Sequence, residues 1–154
     1  MGEVIIYFSY SGNTASAARE ISELTGAPMF RLEPAVPYTD EDVTGDDGTR
    51  ALREHENPSI RPAIKSVDVD FSKVDTVFVG FPIWWYKEPN IIRTFFDDYA
   101  AQLKGKVIYP FCTSYESPVS DADKSLKEGY PQLYIKPGLR LPASQEAIKK
   151  WIEQ

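Results

Sequence analysis

An apolar run, Val4 to Phe8, leads straight into Ser9-Tyr10-Ser11-Gly12-Asn13-Thr14, after which Ala17, Ile21 and Leu24 fall at helical spacing. A strand that enters a helix through one short polar loop belongs in a layered α/β sheet. In open sheets of that kind, ligands collect at the carboxyl ends of the strands. The loop holds hydroxyls, a glycine and an asparagine, with no basic residue. Ser9, Ser11 and Thr14 each offer a hydroxyl donor. Gly12 permits a backbone conformation closed to other residues, and Asn13 is a good N-cap. The unpaired N–H groups of a first helical turn and the helix dipole favour an anion. A phosphate monoester is therefore the expected guest, held without Lys or Arg from the loop. A Walker A loop would need Gly-Lys-Ser/Thr and a dinucleotide loop G-x-G-x-x-G; the segment has neither.

The alternation continues along the chain. Met29–Leu32 and Thr76–Phe81 read as strands, the second a near-continuous apolar run of the kind that parallel sheets bury on both faces. Pro89 opens a helix with Ile92, Phe95, Phe96, Tyr99 and Leu103 on one stripe. Lys106–Cys112 is a further strand. Ser120 to Glu128 is a short helix, with Ser120 and Asp123 spaced as a capping box and Gly129 at its end. Gln132–Leu141 holds an edge strand interrupted by Pro137-Gly138. Ser144–Ile152 is a last helix that buries Ile148, Trp151 and Ile152. These repeats imply a doubly wound parallel sheet of five strands, in one domain spanning residues 1–154.

Glu33–Asp70 breaks the rhythm. It is long, acidic and dotted with prolines, with one helix expected at about Thr49–Glu56. Asp40 to Asp47 places Gly45 as a calcium loop does, but Ala51 stands where that loop requires a glutamate, so no metal is expected. The lone His55 lies in this region with no partner in view, which suggests a surface role. Cys112, the single cysteine, excludes an internal disulfide and reads as a small buried apolar residue.

A net charge of -6 argues against nucleic acid and anionic membrane surfaces as partners, and suits docking onto basic faces of other proteins. No run approaches the length of a membrane span, and a strand beginning at Val4 leaves no room for a leader peptide. A cytoplasmic monomer is the expectation.

Two further segments fall at the same sheet edge as the first loop. Pro82, Ile83, Trp84, Trp85, Tyr86 and Lys87 follow the third strand; flat side chains there suit a flat heterocycle, with one tryptophan in the core and the other on the ligand. Thr113, Ser114, Tyr115 and Glu116 end the fourth strand. Tyr115 is placed to cover the other face of a ring, and backbone N–H groups to reach its polar edge.

The first loop resembles the phosphate loop of the flavodoxin family, approximately Ser/Thr-x-Ser/Thr-Gly-Asn-Thr, at Ser9, Ser11, Gly12, Asn13 and Thr14. Gly80-Phe81-Pro82-Ile83-Trp84-Trp85 and the later Pro89 resemble a short flavodoxin-like subfamily. The resemblance implies strand order 2-1-3-4-5 and flavin mononucleotide (FMN) as cofactor, the redox chemistry being the flavin's own. Similar proteins carry a glycine-containing turn after strand three, which flips on reduction, and often glycines in the third loop. Here Trp85-Tyr86-Lys87-Glu88 and Tyr115-Glu116 have none. A flip to φ > 0 costs a non-glycine residue about 1 kcal/mol or more, so weaker stabilisation of the one-electron-reduced flavin is expected. The resemblance implies a low-potential electron carrier between protein partners, with no catalytic acid, base or nucleophile. The alternative is an NAD(P)H-dependent quinone or flavin reductase, with Glu33–Asp70 as a lid. A non-redox module holding another phosphate ligand is a third reading.

Overall fold

The structure is a computed structural model that describes residues 2–154. Its elements are β1 (Gly2–Tyr7), α1 (Asn13–Thr25), β2 (Met29–Arg31), α2 (Arg50–Glu56), β3 (Val74–Pro82), α3 (Asn90–Asp98), α4 (Ala100–Leu103), β4 (Val107–Thr113), α5 (Ser120–Gly129), β5 (Tyr134–Ile135), β6 (Leu139–Leu141) and α6 (Gln145–Ile152). All strand pairs are parallel, in the order β2-β1-β3-β4-β5, and β6 pairs with β4 beyond β5. This is the doubly wound sheet and strand order expected. The interrupted edge strand is two pieces, β5 and β6, separated by Pro137-Gly138.

Strand alternation divides the core cleanly. Val4, Ile6, Phe8, Val77, Val79, Phe81 and Ile108 face α3, α4 and α5, where Ile92, Phe95, Phe96, Leu103 and Leu126 close the layer. Ile5, Tyr7, Phe78, Tyr109 and Phe111 face α1 and α6, meeting Ala17, Ala18, Ile21, Ile148 and Trp151. Gly80 is forced by this packing: a Cβ there would lie 2.2 Å from the Phe111 ring, its register partner on β4.

Helix ends depart from the sequence reading at α5 and after Pro89, and again at the start of α1, described with the site below. The expected Ser120/Asp123 capping box does not form. Val119 is the N-cap, and the Asp123 carboxylate accepts instead from Gly138 N–H at 3.0 and 2.9 Å, which fixes the bend between β5 and β6. The helix after Pro89 breaks at Tyr99 into α3 and α4. Tyr99 is half-buried and its hydroxyl accepts from Val67 N–H at 2.7 Å. Cys112 is fully buried, and burial pushes its thiol up to about 12, so it stays protonated.

The Glu33–Asp70 insertion is an ordered unit around one α-helix, α2, preceded by a 3-10 turn at Glu41–Val43. Its stem is pinched by Ala35 N–H to Ala63 O and Lys65 N–H to Glu33 O, at 2.8 and 2.9 Å. Two side-chain links tie it to α3: the Asn90 amide donates to the carbonyls of Glu54, Asn57 and Ile60 at 2.7, 3.2 and 3.0 Å, and Arg61 pairs with Asp97 at 2.7 Å. Arg50 lies 3.8 Å over the Tyr38 ring and pairs with Glu54 at 3.1 Å, and the Tyr38 hydroxyl donates to the same carboxylate.

Candidate functional site

Three loops meet at the carboxyl edge of the sheet, and the first is built around Ser9. Its Oγ accepts from Gly12 N–H at 3.2 Å and Ala15 N–H at 3.1 Å. Ser9 therefore satisfies the end of α1, and the N-cap position is Gly12 at φ 98°; Asn13 opens the helix instead of capping it. Gly12 is needed there because its φ lies in the left-handed region that other residues rarely enter. With Ser9 taking the Gly12 and Ala15 amides, those of Ser11, Asn13 and Thr14 find no acceptor among the described residues. Ser11, Gly12 and Asn13 are exposed. Three free N–H groups at a helix N-terminus form an anion seat. The Thr14 hydroxyl is not part of it: Thr14 is 1% exposed, and its Oγ1 lies 2.8 Å from Thr113 Oγ1, which joins the first loop to the third.

The second loop is a tight two-residue turn. Trp84 N–H donates to Lys87 O at 3.0 Å, and Lys87 N–H to Trp84 O at 3.2 Å. Its central residues, Trp85 and Tyr86, have φ 49° and 71°, the left-handed pair that such hairpin turns demand and that glycine or asparagine usually supplies. The sequence reading treated φ > 0 as a cost met only on a flip; here both residues already stand in it. Packing compensates. Trp84 sits edge-on between Phe8 and Tyr38, with centroids at 5.6 and 5.5 Å. Trp85 lies against the insertion, 5.2 Å from the His55 ring, and its Cζ2 comes within 3.2 Å of where a Cβ on Gly45 would be. So His55 has a partner, contrary to the sequence reading. Burial, with the nearby Lys87 charge, holds its pKa below the usual 6.5.

The third loop is held by a residue that sequence reasoning passed over. Arg140, on β6, donates through Nη1 to the carbonyls of Ser114 and Tyr115 at 3.3 and 3.2 Å. Ser114 Oγ donates to Ser117 O at 2.5 Å, and Ile83 N–H reaches Thr113 O at 3.1 Å, which draws the second and third loops together. Tyr115 is 98% exposed.

These loops enclose a cleft of about 520 Å³, within the usual range for small-molecule sites. Among the expected residues, Ser11, Asn13, Pro82, Ile83, Trp84, Thr113, Ser114 and Tyr115 line it. Of the two tryptophans, then, Trp84 meets the cleft and Trp85 turns to the insertion. Ser9, Gly12 and Thr14 shape the first loop from behind, while Tyr86, Lys87 and Glu116 stand exposed outside the lining. The sequence reading missed Ser16, Ala17 and Glu20 on α1, Leu141 at the end of β6 and Pro142 just after it, which also line the cleft. The α1 residues follow Asn13 at helical spacing, a signal present in the sequence but indistinguishable there from a solvated face. Next to the second loop, Glu88 is 5% exposed; burial pushes its carboxyl pKa up although Arg93 and Ser125 lie at 3.3 and 3.0 Å.

Chemically, the cleft joins a seat of free peptide amides, suited to an anion, to an indole wall. That pairing of fold and site defines a doubly wound α/β protein with a ligand cleft at the carboxyl edge of its sheet. A flavodoxin family model matches residues 3–154, and the chain belongs to the flavodoxin family. A candidate flavoprotein from Bacteroides eggerthii is 37% identical, with a TM-score of 0.93 over 99% of this chain and 96% of the other. A second, from Bacteroides uniformis, is 35% identical, with a TM-score of 0.89 over 99% and 98%. A Lactobacillus acidophilus flavoprotein solved in complex with FMN shares the fold at 19% identity, with a TM-score of 0.77 over 98% of both chains. No curated protein sequence matches the chain.

Proposed function

We propose that the protein binds FMN in this cleft and carries electrons between protein partners. One observation carries the reading: an anion seat made only of peptide amides opens into the same cleft as an aromatic wall. The residues present fit the cofactor. The free amides of Ser11, Asn13 and Thr14 suit a phosphate monoester, Trp84 suits one face of a flat ring, and Tyr115 stands at the rim of the other. Pro82, Ile83 and Leu141 add apolar surface to the lining. When bound, the flavin supplies the electron transfer itself; the protein holds, orients and partly desolvates it.

The carrier reading also draws on charge. The chain carries a net -6, and the Tyr10 hydroxyl donates to Asp40, which brings the acidic stretch of the insertion beside the first loop. A redox partner with a basic face is the complement, and a cytoplasmic monomer is the form in which such a carrier works. No helix among the described residues is long and apolar enough to cross a membrane. A reductase is the second reading. It is favoured by the extent of the cleft, whose lining also takes in Ser16, Glu20 and Pro142.

Titration of the apo-protein with FMN and with riboflavin, followed by flavin fluorescence, tests the site. FMN is expected to quench at roughly hundredfold lower concentration, because hydrogen bonds to an ionised phosphate are stronger than neutral ones. Equal affinities would remove the phosphate role of the first loop. Sustained NAD(P)H consumption with a quinone would replace the carrier by the reductase.

A further inference from the structure

We propose that Arg140 is a positioning residue for the flavin ring, and that its charge favours the reduced cofactor. The inference rests on the flavin reading above and extends it to a residue outside the cleft lining. Arg140 lies on β6 opposite Cys112, just behind the end of β4, and its side chain is half-buried. Its two hydrogen bonds go to consecutive carbonyls, Ser114 at 3.3 Å and Tyr115 at 3.2 Å. In a trans peptide the N–H points opposite to the C=O. The amides of Tyr115 and Glu116 are therefore turned away from the guanidinium, and neither has an acceptor among the described residues. Ser114 and Tyr115 line the cleft, so this is the edge of the loop that a flavin's polar ring edge would meet. The loop has no glycine and no residue at positive φ; its shape is imposed by a side chain from the neighbouring strand.

The charge is unusual as well. Of the half-buried arginines, Arg50 and Arg93 each pair with a carboxylate, whereas Arg140, like the exposed Arg19, Arg31 and Arg53, has none within 4.0 Å among the described residues. Asp123, on the adjacent α5, is occupied by the Gly138 N–H. A half-buried, uncompensated guanidinium favours negative charge placed near it. Two-electron reduction would place such charge on the polar, pyrimidine half of a bound flavin, the half that the free amides of Tyr115 and Glu116 would suit.

The test compares wild type with Arg140→Ala and Arg140→Lys, reading flavin affinity by fluorescence and the two-electron midpoint potential by dithionite titration against mediator dyes. Arg140→Ala is expected to weaken FMN and riboflavin equally, by about tenfold, since the loop meets the ring and not the phosphate. It is also expected to weaken the reduced form by a further tenfold, a fall in midpoint of about 30 mV for a two-electron couple. Arg140→Lys keeps the charge but not the planar fork, so it should restore the potential while leaving ring affinity reduced. An unchanged midpoint in Arg140→Ala overturns the proposal, as does a loss confined to FMN, which would make Arg140 a phosphate cation. Thermal melts of the apo-proteins separate these effects from misfolding, and Arg140→Lys carries the test if Arg140→Ala does not fold. Failure of the wild-type apo-protein to quench either flavin would instead remove the underlying flavin reading.

Discussion

The first loop and the turn after β3 meet the same demand by opposite means. Both must bend the chain through positive φ at the edge of the sheet. The first does it with Gly12 at φ 98°, where a side chain would meet nothing within 4 Å. The turn does it with Trp85 and Tyr86: Trp85 is held against His55 and the Gly45 segment, and Trp84 beside them is wedged between Phe8 and Tyr38. A glycine makes its loop self-sufficient and leaves it open to a ligand. Two aromatics make theirs dependent on an insertion far off in sequence, and convert the insertion from decoration into support. The strain of Trp85 and Tyr86, on the order of 1 kcal/mol or more each, persists only because these neighbours over-determine the turn.

Removing the support is the most severe way to break that comparison. Trp84→Ala deletes the indole wedged between Phe8 and Tyr38 and is expected to cost about 3 kcal/mol in chemical unfolding. An effect below roughly 1 kcal/mol would mean that the turn stands without its packing. Exchanging the two solutions is subtler. Gly12→Ala forces a Cβ into the left-handed region with no clash to add, and should lower stability by about 1 kcal/mol. Tyr86→Gly relieves the same strain at a residue 60% exposed, and should raise it by about 0.5 kcal/mol. Thermal melts of the two apo-variants should therefore move in opposite directions; shifts of the same sign would refute the contrast. The smallest effect concerns His55. Its pKa is held below 6.5 in the folded protein, so the unfolded chain binds more protons between the lowered value and 6.5. Its contribution to stability is whole above pH 6.5 and is lost as the pH falls through that window. A His55→Gln variant should show a flatter decline there, measured as denaturation midpoint against pH.

The architecture was legible because its signals are local and periodic. The strand-loop-helix start, the apolar run of β3 and the stripe Ile92, Phe95, Phe96 and Leu103 each announce an element without reference to the rest of the chain. The gaps lie where a side chain acts across sequence distance. Ser9 caps a helix whose first residue is Asn13, so the nearer residue looked the better cap. Asp123 was drawn to Ser120 by spacing, yet binds Gly138 across the edge of the sheet. The two adjacent tryptophans could not be told apart, because the choice is made by Gly45 and His55, whose positions depend on how the insertion folds. Arg140 carried no motif at all; it is visible only once β6 lies beside β4.

The sheet's margins bear on a different property, colloidal behaviour. At one margin β2 spans Met29–Arg31, bounded by Pro28 and Pro34; at the other Pro137-Gly138 splits β5 from β6. Unsatisfied ladder groups on a long, flat edge would invite another chain to add a strand. Neither margin here offers a run long enough to template one. A protein with these borders can be concentrated without stitching itself edge to edge, and aggregation, where it occurs, must begin from unfolding.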